Sequence, residues 1–533
     1  MSLTAHLALH SNLRAVVGTL YASSASGASQ RNLTVTMKCM ICPLSGRKPG
    51  LALLMPLLWA VMLVLPASGD PAAAVFTSLY SFTGANDGAY PSGTLVQGSD
   101  GYFYGTTSYG GVYTNQFGNG YGTVFKINPN GALTSLYSFT GANDGDSPGG
   151  ALVQGGDGYF YGTTSASFPG TGYGTAFKIS TNGVLTNLYS FTGTNDGAYP
   201  RAGLVLGSDG YFYGTTQNGG ASETLQNPGY GTVFKISTNG TLTNLYSFNS
   251  SNGYPSSSLV QASDGCFYGT SGGRSMGFGL TGYGTVFKID TNGTLTTLFS
   301  FTGSADGESP AGLALGSDGN FYGATVSGGA YTNQFGYGNG TVFRFSTNGL
   351  LTNLYSFTGT NDGQYPQARL ARGSDGYLYG TTANGGTNGG YGTVFRISTN
   401  GALTVLHSFG SVLDTNGNPL DGGNSLSGLV QGRDGSFYGV TDGGGTNAMG
   451  TIFRLTILPE FQTVTLTNGV LYLTWSVEAG ATYQLQYNLS DLSPANWLDL
   501  GNPVIATGTT LSFTDHDTHE LNKAYRVKLL PPP

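Results

Sequence analysis

Short segments rich in Val, Ile, Thr, Tyr and Phe recur along residues 75–455, separated by glycine-containing turns. Apolar side chains fall on both faces of many of these segments, as in YFYGTT at 102–107 and LTNLYS at 185–190. Strands that bury both faces belong to sheets stacked face to face, rather than to a sheet with one wet face. The pattern therefore predicts an all-β domain made of stacked, short-stranded sheets.

These segments belong to one internal repeat. The tetrad LYSF, with the variants LFSF and LHSF, occurs seven times at intervals of 52 to 57 residues, beginning at residues 79, 136, 188, 245, 298, 354 and 406. Each repeat supplies four strands, here named A (LVQ), B (YFYGTT), C (GTVFKI) and D (LTNLYSF). Asp-Gly and Asn-Gly in the A–B and C–D turns provide the positive φ that tight hairpins need. A four-stranded unit repeated radially is a propeller blade, so we predict a seven-bladed β-propeller.

The order of the strands along the chain predicts how the propeller closes. The domain begins with a D strand at 75–82 and ends with an A-B-C set at 428–455. Seven complete blades result only if the first D strand joins the last A-B-C set, a velcro closure. Such closure removes a free sheet edge that would invite aggregation.

The repeat pattern LYSF-x-G-x-N-D-G-x-x-P, DG-x-FYGTT, GTVFK-I and NG-x-LT resembles the GloVer-type tandem repeat of secreted bacterial proteins. The resemblance covers residues 75–455, and its strand order is also similar to that of NHL-type propeller repeats. It implies a propeller and export from the cell. It implies no defined activity.

An uninterrupted apolar run occupies residues 50–65, preceded by Arg47 and Lys48 and followed by the small residues of 66–69. A basic segment, a short apolar stretch and a small-residue end are typical of a secretory signal peptide. The run is short for a membrane span and contains Pro56, although a signal anchor is the alternative. We expect cleavage and a periplasmic or extracellular product.

Three regions follow from this pattern: a leader at 1–69, the propeller at 70–457 and a C-terminal module at 458–533. Residues 1–36 are polar and featureless, which suggests a mis-assigned start ahead of Met37. The C-terminal module has six or seven short strands in about 70 residues, which predicts a β-sandwich. It resembles the fibronectin type III-like modules of bacterial secreted proteins.

Charge narrows the range of partners. Residues 1–69 hold five Lys or Arg and no Asp or Glu, so removal of the leader changes the net charge from −7 to −12. Nucleic acids and anionic membranes both require basic surfaces, and neither is expected as a partner. We expect a monomer that binds an extracellular glycan or protein and needs no cofactor.

Variation between the repeats is concentrated in the B–C loops, and a rigid scaffold with variable loops is a common way to build a binding surface. The loop GGVYTNQFGNGYG at 110–122 nearly recurs as GGAYTNQFGYGNG at 328–340. Aromatic rings and amides suit neutral sugars or extended peptides. The alternative is a set of drifting solvent loops. The predicted ligand-binding residues are Tyr113, Asn115, Gln116, Phe117, Tyr331, Asn333, Gln334 and Phe335.

A second recurrent feature is the acidic residue of the D–A loops, in the motif T-G-x-N-D-G. An Asx-type turn that caps its own backbone is the first interpretation. A ring of calcium sites is the alternative, although one carboxylate per loop falls short of the six to eight oxygens that calcium requires. The residues concerned are Asp87, Asp144, Asp196, Asp306 and Asp362.

Catalysis finds little support in the sequence, and no catalytic residue is predicted. The propeller region contains a single histidine, His407, which stands where other repeats have Tyr. Carboxylate-based catalysis remains an alternative, with Asp146, Glu223 and Glu308 as the candidate residues. The leading hypothesis is an extracellular binding or scaffold protein. The alternatives are a carboxylate-based glycan hydrolase or lyase, and a structural surface repeat without a specific ligand.

Overall fold

The computed structural model describes the chain in fifteen segments. These are residues 20–22, 35–38, 74–115, 117–165, 172–221, 229–255, 257–273, 282–333, 335–457, 461–467, 470–477, 482–488, 498–508, 510–515 and 524–529. The chain divides into two compact units, one of Ala74–Ile457 and one that combines Met1–Ala73 with Leu458–Pro533. Within the described segments the regular structure is entirely β.

The larger unit is an array of antiparallel sheets of the propeller-blade type. Among its described residues, six of these sheets have four strands and one, sheet IV, has five. Sheet I contains Val96–Gln97, Phe103–Thr107, Thr123–Ile127 and Leu133–Ser138. Sheet II contains Val153–Gln154, Phe160–Thr164, Thr175–Ile179 and Leu185–Ser190. Sheet III contains Val205–Leu206, Phe212–Thr216, Thr232–Ile236 and Leu242–Ser247. Sheets IV and V contain Tyr254–Pro255, Val260–Gln261, Phe267–Gly272, Thr285–Ile289, Leu295–Ser300; and Glu308–Leu315, Phe321–Ser327, Thr341–Phe345, Leu351–Ser356. Sheets VI and VII contain Ala371–Arg372, Leu378–Thr382, Thr393–Ile397, Leu403–Ser408; and Val430–Gln431, Phe437–Thr441, Thr451–Ile457, Ala74–Ser81.

Sheet VII is assembled from the two ends of this unit. The strand Ala74–Ser81 pairs antiparallel with Thr451–Ile457, from Ala74 opposite Ile457 to Ser81 opposite Thr451. A register shift between Ser78 and Tyr80 matches the irregularity seen where strands C and D pair in the other sheets. The first strand of the unit therefore occupies the position that strand D has in sheets I to VI.

Neighbouring sheets pack through a Tyr of strand B. Tyr104 of sheet I stacks on Phe160 of sheet II with ring centroids 3.9 Å apart, and Tyr438 of sheet VII stacks on Phe103 of sheet I at 4.0 Å. These rings are fully buried. Offset aromatic stacking contributes about 0.5–1.5 kcal/mol beyond burial of the ring surface. The corresponding contacts elsewhere are Tyr161–Phe212, Tyr213–Phe267, Tyr268–Phe321, Tyr322–Leu378 and Tyr379–Phe437.

Each strand-B tyrosine also donates its hydroxyl to the Asp of its A–B turn, and most D-strand tyrosines donate to the Asp of the following D–A loop. Tyr104 donates to Asp100 of the preceding A–B turn at 2.7 Å, and Tyr80 of a D strand donates to Asp87 at 2.9 Å. Burial, followed by the carboxylate hydrogen bond, raises the pKa of several tyrosines to about 12, namely Tyr80, Tyr137, Tyr189 and Tyr322.

These raised pKa values predict alkaline instability. A tyrosine with a folded-state pKa of about 12 and an unfolded value near 10 holds its proton more tightly when folded. Its stabilising contribution is complete below pH 10 and is lost as the pH rises toward 12. We expect the melting temperature, followed by circular dichroism, to fall steeply over that interval, with tyrosinate absorbance rising in step. A melting temperature that stays constant to pH 12 would contradict this account.

The described residues of the smaller unit form two antiparallel sheets. One has three strands, Phe461–Thr467, Val470–Ser476 and Thr510–Asp515, and the other has six, Leu20–Ala22, Val35–Lys38, Ala524–Leu529, Thr482–Asn488, Leu498–Asp499 and Val504–Ile505. Its core contains Leu473, Trp475, Tyr483, Leu485 and Val527, all buried. Trp475 thus packs in the interior of this unit.

No described helix is long and apolar enough to cross a membrane. The apolar run at 50–65, which the sequence predicts to be a signal peptide, lies outside the described residues.

Candidate functional site

The D–A and B–C loops of a sheet lie side by side and form what is called here the loop face. Backbone bridges join Ala89 to Tyr109 in sheet I, and equivalent bridges join Ala198 to Asn218, Gln364 to Asn384 and Gly423 to Gly443. The A–B turns instead contact strand A of the next sheet, with the Ser99 N–H donating to the Gln154 side chain at 2.9 Å. The variable loops therefore share one face of the sheet array.

The two loops predicted to bind ligand fold as small hairpins. Thr114 bridges Gly120 in the first, and Thr332 bridges Gly338 in the second. The Asn115 N–H donates to the Asn119 carbonyl at 2.8 Å, and the Asn333 N–H donates to the Tyr337 carbonyl at the same distance. The two sequences thus produce the same local structure on sheets I and V.

The asparagines of these hairpins cap their own turns. The side-chain oxygen of Asn115 accepts from the Phe117 N–H at 3.0 Å and the Asn119 N–H at 3.1 Å. Asn333 repeats this pattern, and its amide nitrogen donates to the Tyr365 hydroxyl at 2.6 Å. These amide oxygens therefore accept hydrogen bonds from the backbone of their own hairpins. Gln116 and Gln334 lie outside the described residues.

The aromatic side chains of the hairpins point outward. Tyr113, Phe117, Tyr331 and Phe335 are 51, 62, 52 and 74% exposed. Large exposed apolar side chains grouped on one surface are typical of interaction sites. Tyr337, at 59% exposure, joins the second hairpin. Sequence reasoning missed it, although it replaces Asn119 of the otherwise similar first loop.

The structure does not bring the two hairpins together. They extend from sheets I and V, which are separated along the chain by sheets II to IV. Each hairpin is therefore a separate aromatic surface. A ligand that used both would have to extend across the loop face.

The tyrosines of several D–A loops are held in an unusual backbone conformation. Tyr90, Tyr199 and Tyr365 have φ values of 55°, 57° and 58°. Positive φ is uncommon for a bulky residue and persists only where the surrounding structure enforces it. Tyr90 packs edge-on against Tyr109 of the neighbouring B–C loop, with ring centroids 5.8 Å apart. These tyrosines add to the aromatic surface of the loop face, and no sequence pattern indicated them.

The D–A loop carboxylates are bound within their own loops. One Asp87 oxygen accepts from the Thr83 N–H at 2.8 Å and from the Tyr80 hydroxyl at 2.9 Å, while the other accepts from the Thr83 hydroxyl. Asp144, Asp196 and Asp362 repeat the arrangement; Asp306 lacks only the tyrosine, which is Phe299. Within the described part of the chain, no cluster of three or more His, Cys, Asp or Glu could hold a metal ion.

The carboxylates considered for catalysis lie on different sheets. Asp146 precedes sheet II and is buried, whereas Glu308 begins sheet V, where burial raises its pKa. Glu223 lies outside the described residues. Asp146 and Glu308 therefore lie at different sheets, II and V.

His407 belongs to a packed cluster. Its ring stacks on Phe76 at 3.8 Å, and its Nε2 lies 3.0 Å from an Asp421 oxygen. The Ser411 hydroxyl donates to the same oxygen at 2.6 Å. Ser411 and His407 both contact Asp421. In a Ser-His-Asp triad the serine contacts the histidine, so these three residues are not arranged as a triad.

A cavity of about 360 Å³ lies where the seven A strands begin, and it is called here the strand-A cavity. Small residues such as Gly93, Gly150 and Ser258 form most of its described lining. Its charged residues are Arg201, Arg369 and Arg372. Sequence reasoning missed these arginines because it compared the loops and not the residues that begin strand A.

Repeated four-stranded sheets with a variable loop face define the class of all-β tandem-repeat proteins. The chain belongs to the Gloeobacter/Verrucomicrobia repeat family, whose repeat matches residues 68–279, 111–333 and 273–470. This finding confirms the tandem-repeat assignment made from the sequence.

Two solved structures are weakly similar to this chain. One, provisionally described as a gluconolactonase, has 11% identity and a TM-score of 0.34, with 73% of this chain and 94% of that chain covered. Another, a protein of unknown function from Dyadobacter fermentans DSM 18053, has 13% identity and a TM-score of 0.37, with 74 and 100% covered. No curated protein matches the chain.

Proposed function

We propose that this chain is a secreted binding protein that recognises a neutral glycan through the aromatic hairpins of its loop face. The observation that carries the proposal is the exposure of Tyr113, Phe117, Tyr331 and Phe335 on two hairpins of the same design. Packing such rings against the face of a sugar removes apolar surface from water and adds stacking energy. The capped turns hold the rings in place, which lowers the entropy lost on binding.

The scaffold in this proposal is a closed seven-bladed β-propeller. Pairing of Ala74–Ser81 with Thr451–Ile457 and stacking of Tyr438 on Phe103 both support closure. The Gly428 N–H also donates to the Thr94 hydroxyl at 3.0 Å, which joins sheets VII and I. In this arrangement the C-terminal module at 458–533 is a fibronectin type III-like spacer. The leader at 1–69 directs export.

The double substitution Phe117→Ala/Phe335→Ala tests the loop face. Each ring should contribute about 0.5–1.5 kcal/mol of stacking, so we expect glycan binding about tenfold weaker or worse. Binding would be measured on a glycan array and then by pull-down with insoluble polysaccharides.

The matched control is Val184→Ala/Leu350→Ala, which removes apolar side chains of 62 and 65% exposure from C–D turns. Glycan binding should survive this change. Equal binding by both double variants would overturn the loop-face assignment. Absence of any glycan or peptide ligand would favour a structural repeat protein. Release of reducing sugar that is lost in Glu308→Gln would favour the carboxylate enzyme.

A further inference from the structure

The strand-A cavity has an unusual distribution of side-chain size. Six repeats place a small residue directly before the leucine of strand A, namely Thr94, Ala151, Gly203, Ser258, Gly312 and Gly428. The remaining repeat places Arg369 there. Gly312 lies against Arg369, because an added Cβ would come within 3.6 Å of the arginine Cβ. The small residues therefore leave space into which one guanidinium extends.

The charge of this cavity is unbalanced. Arg201 precedes strand A of sheet III, which begins at Val205, and Arg372 lies at the end of strand A in sheet VI. No Asp or Glu occurs among the described residues that line the cavity. In the same part of the chain, none of the three guanidinium groups makes a hydrogen bond or an ion pair.

Arg369 lies opposite Gly312 of the neighbouring sheet. Burial lowers its pKa from the ordinary value, although its side chain remains accessible from the cavity. Arginine keeps its proton in proteins, so the group remains a cation. A guanidinium without an acidic partner keeps its donors available, and an anion that accepts them forms charge-assisted hydrogen bonds.

We propose that the strand-A cavity is a binding site for a small oxyanion, with Arg369 as the principal contact and Arg201 as a second. The planar guanidinium matches carboxylate and phosphate groups, both of which accept two parallel hydrogen bonds. The volume of about 360 Å³ suits a di- or tricarboxylate or a phosphorylated small molecule. Thr94 and Ser258 hold the same repeat position as Arg369, carry hydroxyls and also line the cavity. This site is independent of the loop face and of any glycan bound there.

Calorimetric titration of the full chain with citrate, succinate and inorganic phosphate tests the site. At low salt we expect saturable binding of at least one of these anions, and the preferred probe separates carboxylate from phosphate recognition. Arg369→Ala should weaken that binding by about tenfold or more, since a hydrogen bond to a charged group is lost. Lys178→Ala, which removes a positive charge from strand C, should leave it unchanged.

Arg369→Lys separates charge from geometry, because it keeps the cation and loses the planar fork. We expect intermediate affinity for this variant. If Arg369→Ala does not fold, Arg201→Ala provides the same comparison, because the Arg201 side chain is exposed. Absence of binding by the unmodified chain to all three anions would overturn the proposal. The proposal would also be overturned if both Arg369→Ala and Arg201→Ala bound the anion as tightly as the unmodified chain.

Discussion

Deletion of residues 70–83 should abolish cooperative unfolding of the repeat unit, or lower its melting temperature by more than about 10 °C. The strand Ala74–Ser81 makes seven residue pairs with Thr451–Ile457. Phe82 is fully buried and meets Phe125 of sheet I edge-on at 5.4 Å. Each buried aromatic contributes about 1.5–3 kcal/mol, against a total stability of about 5–15 kcal/mol for a domain.

The deletion also exposes an unpaired edge. Without Ala74–Ser81, the strand Thr451–Ile457 presents free N–H and C=O groups to other chains. Phe76 leaves the rings of Phe453 and His407, which it contacts at 5.2 and 3.8 Å. We therefore expect the deleted chain to aggregate as well as to melt earlier, and light scattering would detect this.

A synthetic peptide of residues 70–83 distinguishes edge pairing from general destabilisation. Added to the deleted chain, it should raise the melting temperature in a concentration-dependent way, because it binds only the folded form. The matched control is the same peptide with Phe76 and Phe82 replaced by Ser, which should have no effect. An unchanged melting temperature on deletion would contradict the closure of the ring through sheet VII.

The repeat organisation could be predicted because its signals are local. The LYSF tetrads, Asp-Gly turns and Asn-Gly turns locate strands B, C and D to within a residue or two. Strand A was less predictable. It has two residues in sheet I, Val96–Gln97, and eight in sheet V, Glu308–Leu315, where a register shift lies between Pro310 and Gly312. Such a shift depends on pairing with a partner strand and not on local propensity.

The site was harder to predict for two physical reasons. The sequence indicated amides in the hairpin loops, yet whether the oxygen of Asn115 faces a ligand or its own backbone depends on the register of the hairpin. Exposure of Phe117 and Phe335 was predictable from their loop position. Arg369 was visible as the one large side chain at its repeat position, but the sequence does not indicate that this position faces a cavity.

The glycine of strand B gives a second large effect, this time from steric overlap. All seven repeats have it, at Gly105, Gly162, Gly214, Gly269, Gly323, Gly380 and Gly439. A Cβ added at Gly380 would lie 2.5 Å from Cζ of Phe395 and 2.7 Å from Cδ2 of Leu370. Both neighbours are buried at 2% exposure or less, so neither can move aside into solvent.

Gly380→Ala should therefore lower the free energy of unfolding by about 1–3 kcal/mol or more, the usual cost of overpacking a dense core. Equilibrium unfolding in urea would measure it. Gly156→Ala is the matched control, because its added Cβ meets nothing within 4 Å and its backbone carries no positive φ. We expect the control to be neutral or more stable by about 0.4–1 kcal/mol, since alanine restricts the unfolded chain.

The combination of Gly380→Ala with Phe395→Leu identifies the cause. Leucine lacks the ring atom that the new methyl group would overlap, so the double variant should lose less stability than the two single losses added together. Simple additivity would show that the glycine serves the backbone and not the packing of Phe395. A loss below about 0.5 kcal/mol for Gly380→Ala, the scale of a surface change, would show that the strand shifts to admit the methyl group. Because the same Gly–Phe contact recurs in every sheet, the result at one position applies to the packing of all seven.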